Sequence, residues 1–365
     1  MIRLRRGVVI SLDRDRPGVQ ELTVSVEDRQ EAAIAYPDLT GPVAVGDTVI
    51  VNTTAVALGL GTGGVHLVMA VEGRDGPADE PAGRVMKARY TPMQTAVRAV
   101  EETHRDAIEG SPGLEGTPVV CAPLHSMLGP VAAAARVAGA ARIVYVMTDG
   151  AALPGAFSRL VGDLRAAGLV DGWITCGQAF GGELEAVTVW TGLLAARAVL
   201  GADVIVVADG PGNLGSDTTW GVSALGSGHA LNAGAVLGGR PVPALRVSFA
   251  DERERHRGLS HHSRTILRDV CTAECNVPVP TLEDDAQRSA VWDALRGAGL
   301  EERHHLVEVD GRPGISGLGD RRVGVTSMGR GPEDDPAFFL AAGAAGVLAA
   351  RMVAAGRRWR SDLAD

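Results

Sequence analysis

Three observations predict an α/β fold for this chain of 365 residues. Hydrophobic residues make up 45% of it but aromatic ones only 4%, and it holds 48 glycines. A core of Val, Ala, Leu and Gly suits helices packed closely on a sheet better than an aromatic-rich all-β sandwich. From about residue 84 onward, short apolar runs alternate with Ala-rich stretches of helical length. Strands alternating with helices give a parallel sheet, because each right-handed crossover has to cover a face. Ahead of that region, short β-branched runs separated by turn signals read as a small barrel or compact sheet.

In the first region the runs are 7–11, 21–26, 32–36 and 48–52, divided by turns such as Arg16-Pro17-Gly18 and Val45-Gly46-Asp47. A Gly-rich loop, 58–64, leads into a further run, 65–69. Residues 74–83, rich in Gly, Pro and acids, read as a linker, so the expected domains are 1–83 and 84–365. The second region yields five strand–helix units: 118–121 with 129–138, 142–147 with 154–167, 172–175 with 183–200, 203–208 with 220–236, and 244–249 with 263–270. A sixth unit joins 322–326 to a helix opened by Asp335-Pro336, residues that suit an N-cap and a first helical position. The expected architecture is a doubly wound, mainly parallel sheet of the Rossmann or flavodoxin type behind a small β-rich domain. No repeat of fixed period is present.

The formal charge of −9, with a pI near 5.5, argues against the basic face that nucleic acid or an anionic membrane requires. The opening Met1-Ile2-Arg3-Leu4-Arg5-Arg6 resembles the charged start of a signal peptide, but the apolar run behind it stops at Ser11. The longest apolar run, 338–350, falls short of the ~20 residues of a membrane span and reads as a buried helix. Four cysteines, Cys121, Cys176, Cys271 and Cys275, do not make a disulfide scaffold in a chain this long. A cytoplasmic protein is the expectation. Lys87 is its only lysine, and stands either where a compact ammonium is needed or at a neutral position.

Ligands of open parallel sheets bind beyond the carboxyl ends of the strands, near a topological switch point. The loops leaving those ends are 122–126, 148–150, 176–182, 209–219, 251–262 and 327–331. Nearly every polar oddity of the region falls on this edge. The opposite turns, 139–141, 168–169, 201–202 and 238–240, are plain. Purely structural loops would not sort by edge, so the asymmetry points to a site.

Gly210, Gly212 and Gly215 give the spacing G-x-G-x-x-G after a strand. With a helix behind them their N–H groups, beside Asn213 and Thr218, could cradle a phosphate or carboxylate; a rigid turn explains them equally well. As a dinucleotide fingerprint the motif is misplaced: it follows the fourth strand, and the next strand-end acid, Asp251, lies well past the ~20 residues expected. Gly177, Gln178, Gly181 and Gly182 form a second Gly-rich candidate for anion binding. His256, His261 and His262, with Asp251 upstream, could supply acid–base groups or metal ligands, although the spacing fits no standard zinc pattern and a solvated charged turn is the plainer reading. His125 is a further acid–base candidate, and Arg257 and Lys87 could add charge. Cys176 and Cys121 end two predicted strands at a similar depth, as a nucleophile pair in a racemase-like arrangement would, though buried small hydrophobes are the commoner fate. Cys271 and Cys275, one helical turn apart, are two ligands at most, and His304-His305 reads as a strand entrance.

The chain resembles a bacterial family catalogued as domain of unknown function 3866. The resemblance rests on Val51-Asn52-Thr53-Thr54-Ala55-Val56 with the loop 58–64, on Met86-Lys87-Ala88-Arg89-Tyr90-Thr91-Pro92, and on Cys176-Gly177-Gln178-Ala179-Phe180-Gly181-Gly182. It continues through 256–262 and Asp335-Pro336-Ala337-Phe338-Phe339-Leu340. It implies a bacterial, cytosolic protein and lends no mechanism. The residues themselves point to an enzyme acting on a small anionic molecule, phosphorylated metabolites included. The alternative is a non-catalytic ligand-sensing or regulatory module. Cofactor, metal and homo-oligomer are left open.

Overall fold

The computed structural model describes residues 2–59, 64–77 and 83–361, with backbone alone from 357, and divides into two units, Met1–Arg98 and Ala99–Asp365. In the first unit β1 (Leu4–Arg16), β2 (Val19–Val26), β3 (Arg29–Ala35), β4 (Thr48–Asn52) and β5 (His66–Val71) close into a barrel in the order β1-β2-β3-β5-β4. Closure leaves no open sheet edge. Alternation does the rest: Leu22, Val24 and Val26 of β2 point inward onto Val9, Val49, Val51 and Val68. Glu27 and Asp28 both take positive φ, as a two-residue type I′ hairpin turn demands. A hairpin of β6 (Val85–Lys87) and β7 (Thr95–Val97) completes this unit, which therefore ends later than the boundary after residue 83 drawn from sequence. Residues 60–63 of the Gly-rich loop and 78–82 of the expected linker lie outside the described residues.

The second unit is built on six parallel strands: β8 (Pro118–Cys121), β9 (Ile143–Thr148), β10 (Gly172–Cys176), β11 (Leu184–Ala186), β12 (Val204–Asp209) and β13 (Arg240–Pro243). Their order is β11-β10-β9-β12-β8-β13. Successive residues of each strand face opposite cores. Val120, Tyr145 and Val206 pack with the helices Leu128–Val137, Arg159–Ala166 and Arg312–Asp320, while Val119, Val144 and Ile205 pack with Val189–Ala198 and Gly226–Val236. The sheet is thus doubly wound. It departs from both the Rossmann and flavodoxin orders, in which the first two strands are neighbours, because β12 is inserted between β8 and β9.

Four expectations need correction. The sheet strand of the fifth expected unit is β13, not 244–249; its Pro241 and Pro243 look like turn residues but are tolerated on an edge strand. Within 244–249 only β14 (Val247–Ser248) is extended, and it pairs antiparallel with β15 (Gly258–Leu259) outside the main sheet. The helix expected from residue 183 starts at Val189, because β11 adds a short parallel edge strand first. Residues 322–326 form no strand, and the helix expected from residue 220 begins at Gly226. Sequence reading also passed over β16 (Asn276–Pro280) and the helix Asp285–Gly297, which with β17 (His305–Val309) make a parallel strand–helix–strand unit.

The helix Pro336–Ser361 forms as expected. Its stretch Pro336–Gly356 is long and apolar enough to cross a membrane, yet 78% of the most apolar window is buried inside the protein. Small residues permit that burial: a Cβ on Gly346 would come within 2.1 Å of the Val131 carbonyl oxygen.

Candidate functional site

The loops after β8 and β12 turn toward helices on opposite faces of the sheet, and these two strands are neighbours. That is a topological switch point, the position beside which ligands of open α/β sheets bind. The chain leaving the adjacent β13 contributes the longest insertion on this edge, 244–262, closed at its base by the β14–β15 pair.

Within that insertion three imidazoles converge. His256 ends a short 3-10 turn, Glu254–His256, and His261 and His262 open the helix His261–Thr265. Ring centroids are 4.9 Å apart for His256 and His261, 4.8 Å for His256 and His262, and 4.2 Å for His261 and His262. Ser260, the wholly buried N-cap, holds the group together: its Oγ accepts the His262 backbone N–H at 3.2 Å and lies 2.8 Å from His256 Nδ1. A π-helical turn, Ile266–Val270, continues the helix, a rarity found mostly at functional positions. Burial, reinforced by the charges of Arg246 and Arg253, pushes His256 down to about 3, and burial with His261 and Arg246 pushes His262 down to about 4. His261 is lowered for the same reasons. All three are neutral at physiological pH.

Asp251 organises the surrounding cations. Its Oδ1 accepts from Arg253 N and Nε, and its Oδ2 accepts from Arg246 Nη2 at 3.1 Å and Arg253 Nη2 at 2.9 Å. Burial alone would raise the Asp251 pKa, but these hydrogen bonds and charges hold it well below the usual carboxylate range. Arg330 reaches from the turn 327–331 to Asp335 Oδ2, which also accepts from Ser248 Oγ at 2.6 Å. Ser327 of that turn accepts from Ser126 of the β8 loop, and Arg255 pairs with Asp217 of the β12 loop. Arg257 and Arg264 have no carboxylate partner among the described residues. Arg264 Nε and His261 Nε2, one helical turn apart, are both buried without any hydrogen-bond partner among those residues. Buried polar atoms are nearly always satisfied, so two orphans within one turn set this part of the insertion apart.

The other singled-out residues fall elsewhere on the same edge. Wholly enclosed, His125 has both nitrogens engaged: Nδ1 lies 3.0 Å from the Asp209 carbonyl and Nε2 lies 2.7 Å from Ser158 Oγ. Burial lowers it to about 4. Asp209 Oδ1 in turn accepts from Thr148 Oγ1 and Gly150 N. Gly210 sits where a Cβ would meet Met147 and the Ala152 carbonyl, and Gly212 takes a φ of 90°. Asn213 donates to the Pro123 carbonyl, while Gly215 bridges Val222 and Thr218 Oγ1 accepts from Gly221 N. The loop 210–222 therefore folds on itself instead of opening a helix. Around Cys176 the amides of Gln178, Gly181 and Gly182 donate to Asp149, Glu185 and Thr175. Lys87 belongs to the first unit, fully buried on β6, and all four cysteines are buried and outside any disulfide.

The structure thus brings together His256, His261, His262, Asp251 and Arg257 on one insertion, with His125 and the two Gly-rich loops engaged in contacts of their own. Sequence reasoning missed Arg246, Arg264, Arg330, Asp335 and Ser260. Arg330 and Asp335 had a signal, since they flank a turn already assigned to the carboxyl edge.

A family described as Protein of unknown function (DUF3866) matches residues 32–346, which takes in the barrel from β3 onward and the whole imidazole insertion. The chain belongs to this family. Within it the match ends inside the buried helix Pro336–Ser361. No curated protein is significantly similar to the chain.

Proposed function

We propose that this protein is a cytoplasmic enzyme acting on a small anionic molecule, phosphorylated metabolites included, bound beside the imidazole cluster on the carboxyl edge of the sheet. The observation that carries the reading is the buried, unpartnered Arg264 Nε set among neutral imidazoles and further arginines. An oxyanion accepts from such donors at the same time as it relieves their repulsion. Its arrival also raises the basicity of His256, His261 and His262, because it offsets the charges that hold them down. The imidazoles then become competent acid–base groups only when the anion is present. Four cysteines in a chain this long do not make a disulfide scaffold, which suits a cytoplasmic protein. The acidic net charge supports neither nucleic acid nor a membrane surface as partner.

The test is a thermal-shift and calorimetric screen of inorganic phosphate, pyrophosphate and phosphorylated metabolites, followed by product analysis of each binder. A binder at a hundred times its Kd adds about 2.7 kcal/mol of stability. Arg264→Gln should abolish that gain while the protein still folds. If no anion stabilises the wild-type protein, the reading fails. A binder recovered chemically unchanged would instead make the site a sensor, the second reading that the same loops support.

A further inference from the structure

We propose that His256, His261 and His262 form a site for one divalent transition-metal ion of the zinc class, its fourth position open to water or to an oxygen of the bound anion. The site is shared with the anion chemistry above, but the assignment stands on the imidazoles and not on the arginines.

The donor set argues first. The ligand atoms these side chains offer all lie within 4.8 Å of one another. Tetrahedral zinc holds its nitrogens about 3.3 Å apart at Zn–N distances near 2.0–2.1 Å. Ring movements on the order of 1 Å close the site, and His261 and His262, half-buried at the helix start, have room to make them. His261 Nε2 is buried with an unused position, which metal coordination would satisfy. Ser260 supplies the outer contact that ligating histidines need. When His256 Nδ1–H donates to its Oγ, the tautomer is fixed and Nε2 keeps a lone pair, which accepts from Arg255 Nε at 3.5 Å and would give up that long contact to a metal.

The charge environment decides which metal, and in what company. The nearest carboxylate, Asp251, is occupied by Arg246 and Arg253 on both oxygens, so the ligands are nitrogen only. Imidazole donors select zinc, cobalt, nickel or copper over magnesium or calcium, which demand oxygen. Arginines around the cluster repel a bare dication, and Asp251, Asp335 and Asp217 offset them only in part. A metal here is therefore held best with an anion on its open position, and by linkage each should tighten the other.

Untagged protein, stripped by chelator and dialysed, is titrated with Co2+ by visible absorption and with Zn2+ by elemental analysis, with and without inorganic phosphate. One ion per chain with a tetrahedral cobalt spectrum is expected, bound about tenfold tighter when phosphate is present. His261→Gln should weaken the metal at least a hundredfold with the melting temperature of the metal-free protein unchanged. Ser260→Ala should weaken it about tenfold and also lower the metal-free melting temperature, because it removes a buried helix N-cap. Arg264→Gln should keep the metal while losing phosphate, so failure of the anion reading and failure of this one are told apart. Wild-type protein that binds no more metal than the His256→Ala/His261→Ala/His262→Ala variant overturns the proposal. So does binding that survives His261→Gln undiminished. If the triple variant does not fold, the Gln variant and a zinc-dependent rise in wild-type melting temperature carry the decision.

Discussion

His125 and the cluster of His256, His261 and His262 lie on the same carboxyl edge, and the fold treats them in opposite ways. Burial lowers the basicity of both, to about 4 at His125 and about 3 at His256. At His125 every polar atom has an answer: Ser158 on one nitrogen, the Asp209 carbonyl on the other, and the Tyr145 hydroxyl 3.3 Å away. At the cluster the contacts are looser: Ser260 Oγ lies 2.8 Å from His256 Nδ1, Arg255 Nε and Arg246 Nη1 lie 3.5 Å from His256 Nε2 and His262 Nδ1, and His261 Nε2 has no partner among the described residues. A depressed pKa therefore does not separate the two environments; the hydrogen bonds do, met at His125 and unmet at His261 Nε2.

The harshest test of that contrast falls on the residue that surrounds the cluster with charge. Removing Asp251 strands Arg246, which is 5% exposed, without its counter-ion. Asp251→Ala should cost about 3–5 kcal/mol of unfolding free energy in urea, the range for breaking a buried pair. A loss under about 1 kcal/mol would mean that Asp251 does not organise the site. Next in size, His125→Ala takes the imidazole partner from the Ser158 hydroxyl, leaves the Asp209 carbonyl with the Tyr145 hydroxyl alone, and opens a cavity, at a cost of about 2–3 kcal/mol. His261→Ala, with no hydrogen bond at Nε2 to lose, should cost less than about 1 kcal/mol. Equal losses at the two histidines would break the comparison.

Acid titration sharpens it. The folded pKa values of His125, His256 and His262 lie below the unfolded value of about 6.5, so the unfolded chain binds more protons. Their stabilisation is complete above pH ~6.5 and is lost as the pH falls toward the folded values, at about 1.4 kcal/mol per pH unit for each proton. Asp251 acts in a separate window, its contribution being lost only below its unfolded pKa near 3.9. His125→Ala should flatten the upper slope by one proton with or without phosphate. Saturating phosphate should flatten the share of the cluster alone, by raising its folded pKa values. A slope that phosphate leaves untouched would sever the anion from the imidazoles.

Much of this was readable from residue order. Alternation of apolar runs with Ala-rich stretches located β8, β9, β10 and β12, since buried parallel strands are hydrophobic throughout. The same rule failed at β13 and β16, where prolines break the run and only an edge position or a partner strand explains them. Strand order could not be read, because inserting β12 between β8 and β9 leaves no local trace. For the site, three histidines within a few residues were visible, but adjacent His261 and His262 looked divergent. Convergence comes from the β14–β15 pair, which folds His256 back over the helix start. Arg246 sits ahead of the cluster on the same insertion, and an arginine-rich chain gives no reason to pick it out; for Arg330 the turn that carries it was placed on the carboxyl edge, but its reach to Asp335 was not legible.

The smallest expected effect distinguishes the Gly-rich loop at 176–182 from the cluster. Gly177 has a φ of 65° and a Cβ there would come within 2.2 Å of Asp149 Oδ2. That carboxylate accepts from the Gln178 N–H at 2.8 Å, a protein anion already seated where an external one would bind. Gly177→Ala imposes an unfavourable backbone and pushes Asp149 off its donor, a stability cost of about 1–2 kcal/mol. Phosphate affinity at the cluster should stay within twofold, because the arginines and imidazoles there share no hydrogen bond with this loop. A tenfold loss of phosphate affinity in Gly177→Ala would show instead that the loop amides and Asp149 belong to the binding site, and the contrast between satisfied and unsatisfied groups would no longer locate it.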